Sequence, residues 1–139
     1  MEEYFLVGQL PHLEGKILEE MIGQEYRFRQ EKPDSPAQVF LFIGGVWYRV
    51  SADGPQLYWR IWDRAPEAWE VPEEGMYAPL RDLGHELGLK GQILEGYSYG
   101  IRNDSPSVSI NFQDGRQITF FGTGDGFSAF EVVKWFLNS

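Results

Sequence analysis

The segment Leu13-Glu14-Gly15-Lys16-Ile17-Leu18-Glu19 returns later in the chain as Leu89-Lys90-Gly91-Gln92-Ile93-Leu94-Glu95. Both copies read Leu-x-Gly-polar-Ile-Leu-Glu. Upstream, Val7-Gly8 matches Leu83-Gly84 at the same offset, and downstream Ser35-Pro36 matches Ser105-Pro106. The run Val39-Phe40-Leu41-Phe42-Ile43 falls against Ser109-Ile110-Asn111-Phe112-Gln113, Gly44-Gly45 against Asp114-Gly115, and Asp53-Gly54 against Asp125-Gly126 after a small slip. Copies about 70–76 residues apart exceed the repeat period of a solenoid. They predict two related β units, about residues 4–62 and 80–136, joined by 63–79 within one domain (1–139) of pseudo-two-fold symmetry. The competing explanation is chance likeness between two β-meanders, because Gly and Pro turns recur in any such fold.

Strands follow from the periodicity inside each copy. Val108, Ile110 and Phe112 alternate with Ser107, Ser109, Asn111 and Gln113, the pattern of a half-buried strand. Asp114-Gly115 reads as a two-residue hairpin turn, and Gln117 to Phe120 returns. In the first copy, residues 38–43 are apolar on both faces and predict a strand buried on both sides. Gly44-Gly45 then turns the chain, Val46 to Ser51 returns, and Asp53-Gly54-Pro55 leads into the aromatic strand Leu57 to Trp62. Residues 128–137 carry a capping-box spacing at Ser128 and Glu131, but the repeat sets them opposite Leu57–Trp62 and favours strand. Short helical turns are expected in 2–10 and 79–87. The connection 63–79, with Pro66, Pro72 and Pro79 among four glutamates, is expected to lack regular structure. The loop from Gln30 to Ala37 holds Pro33 and Pro36 and reads as mobile. The predicted fold is mainly β, or α+β with little helix: an antiparallel sandwich or barrel of two pseudo-repeated meanders.

Composition narrows the function classes. The chain has 139 residues, 12 basic against 21 acidic, for a net charge of −9. That balance opposes phosphate-backbone binding, so that nucleic-acid binding through stacking on exposed aromatics alone should be weak, while it favours encounter with a basic partner or simply keeps the protein soluble. There is no cysteine, hence no thiolate nucleophile or thiolate metal site. The acidic start Met1-Glu2-Glu3-Tyr4 does not resemble a secretory leader, and no apolar run reaches the length of a membrane span. A cytoplasmic location away from membranes is therefore expected.

No Walker loop, Gly-x-Ser-x-Gly elbow or His-Glu-x-x-His string is present, which weighs against an enzyme without excluding one. The two histidines are His12 and His85. Asp82, His85 and Glu86 would share a helix face and could form a ligand cluster or acid–base pair. A solvated turn with Asp82 as its cap explains them more simply, and no metal or cofactor is expected. Gly122-Thr123-Gly124-Asp125-Gly126 carries an aspartate where a phosphate cradle needs positive charge, and reads as a turn.

The residues chosen for binding are Trp47, Arg49, Tyr58, Arg60, Trp62 and Trp69. Alternation places Trp47 and Arg49 on one face of their strand, and Tyr58, Arg60 and Trp62 on one face of the next; the two sets coincide if the register allows. Trp, Tyr and Arg are the residue types that most often anchor interfaces. The opposing expectation is that 63–79, through Trp69, covers this face internally.

In size, acidity and β content the chain resembles small bacterial immunity proteins. The strings Gly45-Val46-Trp47-Tyr48-Arg49, Leu57-Tyr58-Trp59-Arg60 and Asp82-Leu83-Gly84-His85 are similar to strings in uncharacterised bacterial families. The resemblance rests on general character and transfers no residue role. It implies a non-enzymatic protein-binding module, an immunity or inhibitor protein that neutralises a basic partner; a homodimer is compatible with the same surface. The alternative expectation is a small-ligand binder or hydrolase with a cleft between the two β units.

Overall fold

The structure is a computed structural model that describes residues 5–8, 10–28, 37–53, 56–102, 105–122 and 128–133. Two four-strand meanders dominate it. The first runs through β2 (Leu18–Gln24), β4 (Gln38–Ile43), β5 (Val46–Asp53) and β6 (Gln56–Trp62), following β1 (Phe5–Val7) and interrupted by β3 (Arg27–Phe28). Then come β7 (Trp69–Val71), β8 (Met76–Ala78), β9 (Leu80–Asp82) and one turn of helix, α1 (Leu83–Glu86). The second meander is β10 (Leu94–Arg102), β11 (Ser105–Phe112), β12 (Gln117–Gly122) and β13 (Ser128–Val133). They form a six-stranded sheet of order β1-β6-β5-β4-β2-β9, a four-stranded sheet β10-β11-β12-β13, and a small sheet β3-β8-β7. Pairing is antiparallel except between β1 and β6. Among the described residues none of the sheets closes into a barrel.

Alternation decides the inner faces. Val39 pairs with Val50, and Leu41 with Tyr48, while Val108 pairs with Phe120 and Ile110 with Ile118. All eight side chains are buried in one core, together with Trp59, Leu57, Met21 and Phe112. The two large sheets meet across it through β5 and β6 on one side and β11, β12 and β13 on the other. Each large apolar side chain so buried stabilises the fold by roughly 1.5–3 kcal/mol against exposure, which makes these ladders the main reason that the sheets stay together.

The Leu-x-Gly-polar-Ile-Leu-Glu segments sit where the sheets join. Ile17 bridges Ile93 in antiparallel fashion. The Gly15 N–H donates to the Leu94 carbonyl at 2.9 Å and the Gly91 N–H to the Leu18 carbonyl at 2.7 Å; Leu18 N–H reaches Gln92 O at 3.0 Å and Leu94 N–H reaches Lys16 O at 2.8 Å. Each bond is matched by one in which the two segments exchange roles. A register shift follows in both meanders, between Leu18 and Glu20 in the first and between Leu94 and Gly96 in the second.

Three expectations need correction. The connection 63–79 is not devoid of regular structure: Pro72 opens a 3₁₀ turn that ends at Gly75, φ 68°, and this turn joins β7 to β8. Proline fits there because the first residue of such a turn has no use for its N–H. The Tyr26 and Trp69 rings meet at 5.9 Å, and the Arg27 guanidinium binds the buried Glu25 carboxylate, Nε to Oε2 2.6 Å, so side chains hold this small sheet together. Second, the helical turn expected in 79–87 is α1, but residues 5–7 extend as β1 instead, because pairing with β6 supplies their hydrogen bonds. Third, the hairpin after β11 is not a two-residue turn: the Gly115 N–H bonds to Phe112 O at 3.1 Å and Gly115 has φ 93°, a longer loop whose left-handed position is the glycine. Residues 128–133 are strand, the reading that the repeat favours; 134–137, 123–127 and 29–36 lie outside the described residues, with the expectations that fell on them. Among the described residues no helix is long and apolar enough to cross a membrane.

Candidate functional site

The hairpin register brings five of the six chosen residues onto one surface. Trp47 lies directly opposite Trp62, Arg49 opposite Arg60, and Ser51 opposite Tyr58. Residues paired in this way project from the same side of a sheet, here the side away from the core. This pairing closes at Asp53 opposite Gln56, while the Gly44-Gly45 turn, φ 57° and 82°, fixes β5 against its other neighbour, with Ile43 opposite Val46, since a two-residue turn with both φ positive matches the strand twist.

Cations and rings interleave along the face. The Arg49 guanidinium sits 4.8 Å from the centre of the Trp62 ring and the Arg60 guanidinium 4.7 Å from that of Tyr58. Such contacts are worth about 0.5–1 kcal/mol at exposed sites, enough to hold the rings in place but not enough to make the fold depend on them. Phe42 stacks on Trp47 at 4.8 Å and Phe40 meets the edge of Trp62 at 6.2 Å. Trp47, Arg49, Tyr58 and Trp62 are half-buried and Arg60 is exposed. The Tyr58 hydroxyl donates to Gln56 Oε1.

One end of the face is closed by a chain of amides. Arg49 Nε donates to Gln38 Oε1. Gln38 Nε2 donates to Gln24 Oε1 at 2.7 Å, and Gln24 Nε2 to the Glu67 carbonyl at 3.0 Å. Both glutamines are buried. The connection 63–79 therefore does cross the sheet, but at the Gln24–Gln38 corner. Trp69, 42% exposed, makes its ring contact with Tyr26 on the small sheet and is not stacked on Trp47 or Trp62. Phe40, Phe42, Gln38 and Gln24 were missed by sequence reasoning. The signal for the phenylalanines was present: in a strand apolar on both faces, every second residue must line the outer side.

The other clusters separate into structural roles. Asp82 caps α1 by accepting from the His85 N–H at 3.1 Å, and Glu86 takes Arg81 Nε at 2.7 Å. His12 and His85 are both exposed. Among the described residues no group of His, Asp and Glu is arranged to hold a metal ion. A depression of about 380 Å³ is lined by Glu95, Gly96, Tyr97, Asn111, Phe112, Gly115, Arg116 and Gln117. All belong to the second meander, so this hollow is not a cleft between the units. Its cation, Arg116, is occupied by Asp114, Nε to Oδ2 2.7 Å, and by the Gly88 carbonyl at 3.0 Å. Comparisons with protein-family models, with curated proteins and with solved structures give no match.

Proposed function

We propose that the protein is a non-enzymatic binding module whose docking surface is the outer face of β5 and β6, with Trp47, Arg49, Tyr58, Arg60 and Trp62 as its anchors and Trp69 at its margin. The observation that carries this reading is the open, pre-ordered array of rings and guanidinium groups, five side chains on one face with none sealed under the chain. Aromatic and Arg anchors that lose little rotamer freedom on docking are favoured at interfaces. The net charge of −9 steers a basic protein towards the molecule, as an inhibitor or immunity protein would require. The same reading holds the two meanders to be copies of one unit fused across the Ile17–Ile93 bridge into a sandwich. The reciprocal hydrogen bonds and the matching register shifts support it.

The test uses immobilised full-length protein and a native-host extract, with the double variant Arg60→Ala, Trp62→Ala run in parallel. A protein retained by the parent, lost from the variant and released by moderate salt is the expected result. Retention that is equal on both, or absent from both, overturns the assignment of this face.

A further inference from the structure

We infer that the outer edge of β10 pairs with the β10 edge of a second copy of this chain, antiparallel about a two-fold axis at Tyr99. Tyr97 pairs with Ile110 and Tyr99 with Val108 on β11, so these side chains project from the core-facing side of the sheet. Yet exposure climbs along the strand, from 36% at Tyr97 to 57% at Tyr99 and 67% at Ile101. Beyond Leu94, whose N–H and carbonyl bond to Lys16 and Gly15, no described residue pairs with the outer edge of β10. The corresponding strand of the first meander is treated differently. The outer edge of β2 is covered by β9, Ile22 opposite Asp82 and Gln24 opposite Leu80. In the alignment of Leu13–Glu19 with Leu89–Glu95, the segment matching β9 is β1, and β1 is committed to β6. The strand that would close β10 from within the chain is used elsewhere.

The edge suits a copy of itself. Gly96-Tyr97-Ser98-Tyr99-Gly100-Ile101 carries no charge in a chain of net −9, and it lacks the lysine or proline that normally blunts an exposed edge. Antiparallel pairing centred on Tyr99 sets Tyr97 against Ile101 of the second copy on one side of the sheet, and Ser98 against Gly100 on the other. It also brings the acidic end of the strand, Glu95, towards the basic end, Arg102, of its mate. The four-stranded sheets would join into one of eight strands, with the Tyr97–Tyr99 ring pair, 5.3 Å apart, extended across the axis. This surface is separate from the β5–β6 face, so either proposal can fail alone.

Sedimentation velocity of the full chain from micromolar to submillimolar concentration tests the pairing. A reversible dimer is expected that tightens as salt is raised, because two chains of the same sign repel and salt screens them. Tyr99→Lys, which sets like charges across the axis, should weaken the dimer by about tenfold or more. Tyr99→Cys, in a chain with no other cysteine, should give a disulfide-linked dimer on mild oxidation. Ile61→Cys, at 73% exposure, should not, and this pair of variants decides the matter if Tyr99→Lys folds poorly. A chain that stays monomeric throughout overturns the inference, whether its own N-terminal residues or another protein occupies the edge. So does a dimer indifferent to Tyr99→Lys.

Discussion

The outer faces of the two large sheets are built from strands in matching order, yet they share almost no chemistry. On the four-stranded sheet, Ser109 meets Thr119, their hydroxyls 2.8 Å apart, and Gln117 donates to Asn111 at 2.7 Å. On the six-stranded sheet, the matching strands β4 and β5 carry Phe40 opposite Arg49 and Phe42 opposite Trp47, and β6 adds Arg60 and Trp62 beside them. The inner faces, by contrast, are alike: Val39 and Leu41 in one, Val108 and Ile110 in the other, all fully buried. A shared core constrains both inner faces, whereas an outer face answers only to solvent and to partners. Apart from Phe121 opposite Ser107 at one end, these pairs form a small polar ladder, so this sheet architecture needs no continuous row of rings on its outside. The tryptophans and arginines of β5 and β6 therefore call for an explanation other than folding.

The largest expected effects test whether the inner faces form one core. Leu41→Ala and Ile110→Ala occupy equivalent ladder positions and are both fully buried. Each should lower stability by about 2–5 kcal/mol, and urea titration should still show a single transition in both. Two transitions, with each variant moving only one, would break the equivalence and make the meanders separate folding units. Next in size is Gln38→Ala. It removes the middle member of the Arg49–Gln38–Gln24 chain and leaves a buried glutamine without its donor. A loss of about 1–3 kcal/mol is expected, measured by the same titration.

How much of this contrast can be read from the chain varies with the physics involved. The meanders follow from alternation and from turn residues, and the Trp47–Trp62 pairing follows from alternation on two strands joined by the short link between Asp53 and Gln56, because both signals are local. The small sheet does not: β3 has two residues, β7 and β8 have three each, and their prolines point to loop. What specifies them is distant, the Tyr26–Trp69 ring contact and the Glu67 carbonyl above Gln24. The open edge of β10 is equally hidden, since the apolar alternation of Tyr97, Tyr99 and Ile101 looks the same whether or not another sheet covers it.

The junction offers a smaller, sharper comparison. Gly15 and Gly91 have φ of 80° and 86°, and a Cβ at either would meet no atom within 4 Å. Replacing each by alanine therefore costs only the backbone strain of a left-handed residue, about 1 kcal/mol. Equal losses from thermal melts would support two interchangeable halves; unequal ones would show that the two segments are held differently. Above the ordinary tyrosine value of 10.0, the halves should diverge. Burial raises the Tyr48 hydroxyl above that value, while its ladder counterpart Ile118 does not titrate. The unfolded chain releases this proton first, so stability is intact below pH 10 and falls as pH rises towards the folded-state value. Tyr48→Phe should flatten that alkaline slope in denaturation followed between pH 9 and 11.

The smallest effect on stability is expected where the proposal places the most function. Arg60 is exposed, and its observed side-chain contact is with the Tyr58 ring. Arg60→Ala should change unfolding free energy by no more than about 0.5 kcal/mol, as for other surface substitutions. An exposed anchor that costs the fold nothing to remove, but abolishes capture of a basic partner when removed with Trp62, is the signature of a face kept for binding. Ser109→Ala on the other sheet serves as the matched control: it deletes a half-exposed hydroxyl contact and should leave capture untouched. If Arg60→Ala instead lowers stability as much as Gln38→Ala does, the guanidinium–ring array is part of the scaffold. The contrast between the two outer faces would then be a difference in how each sheet is braced, not in what each one meets.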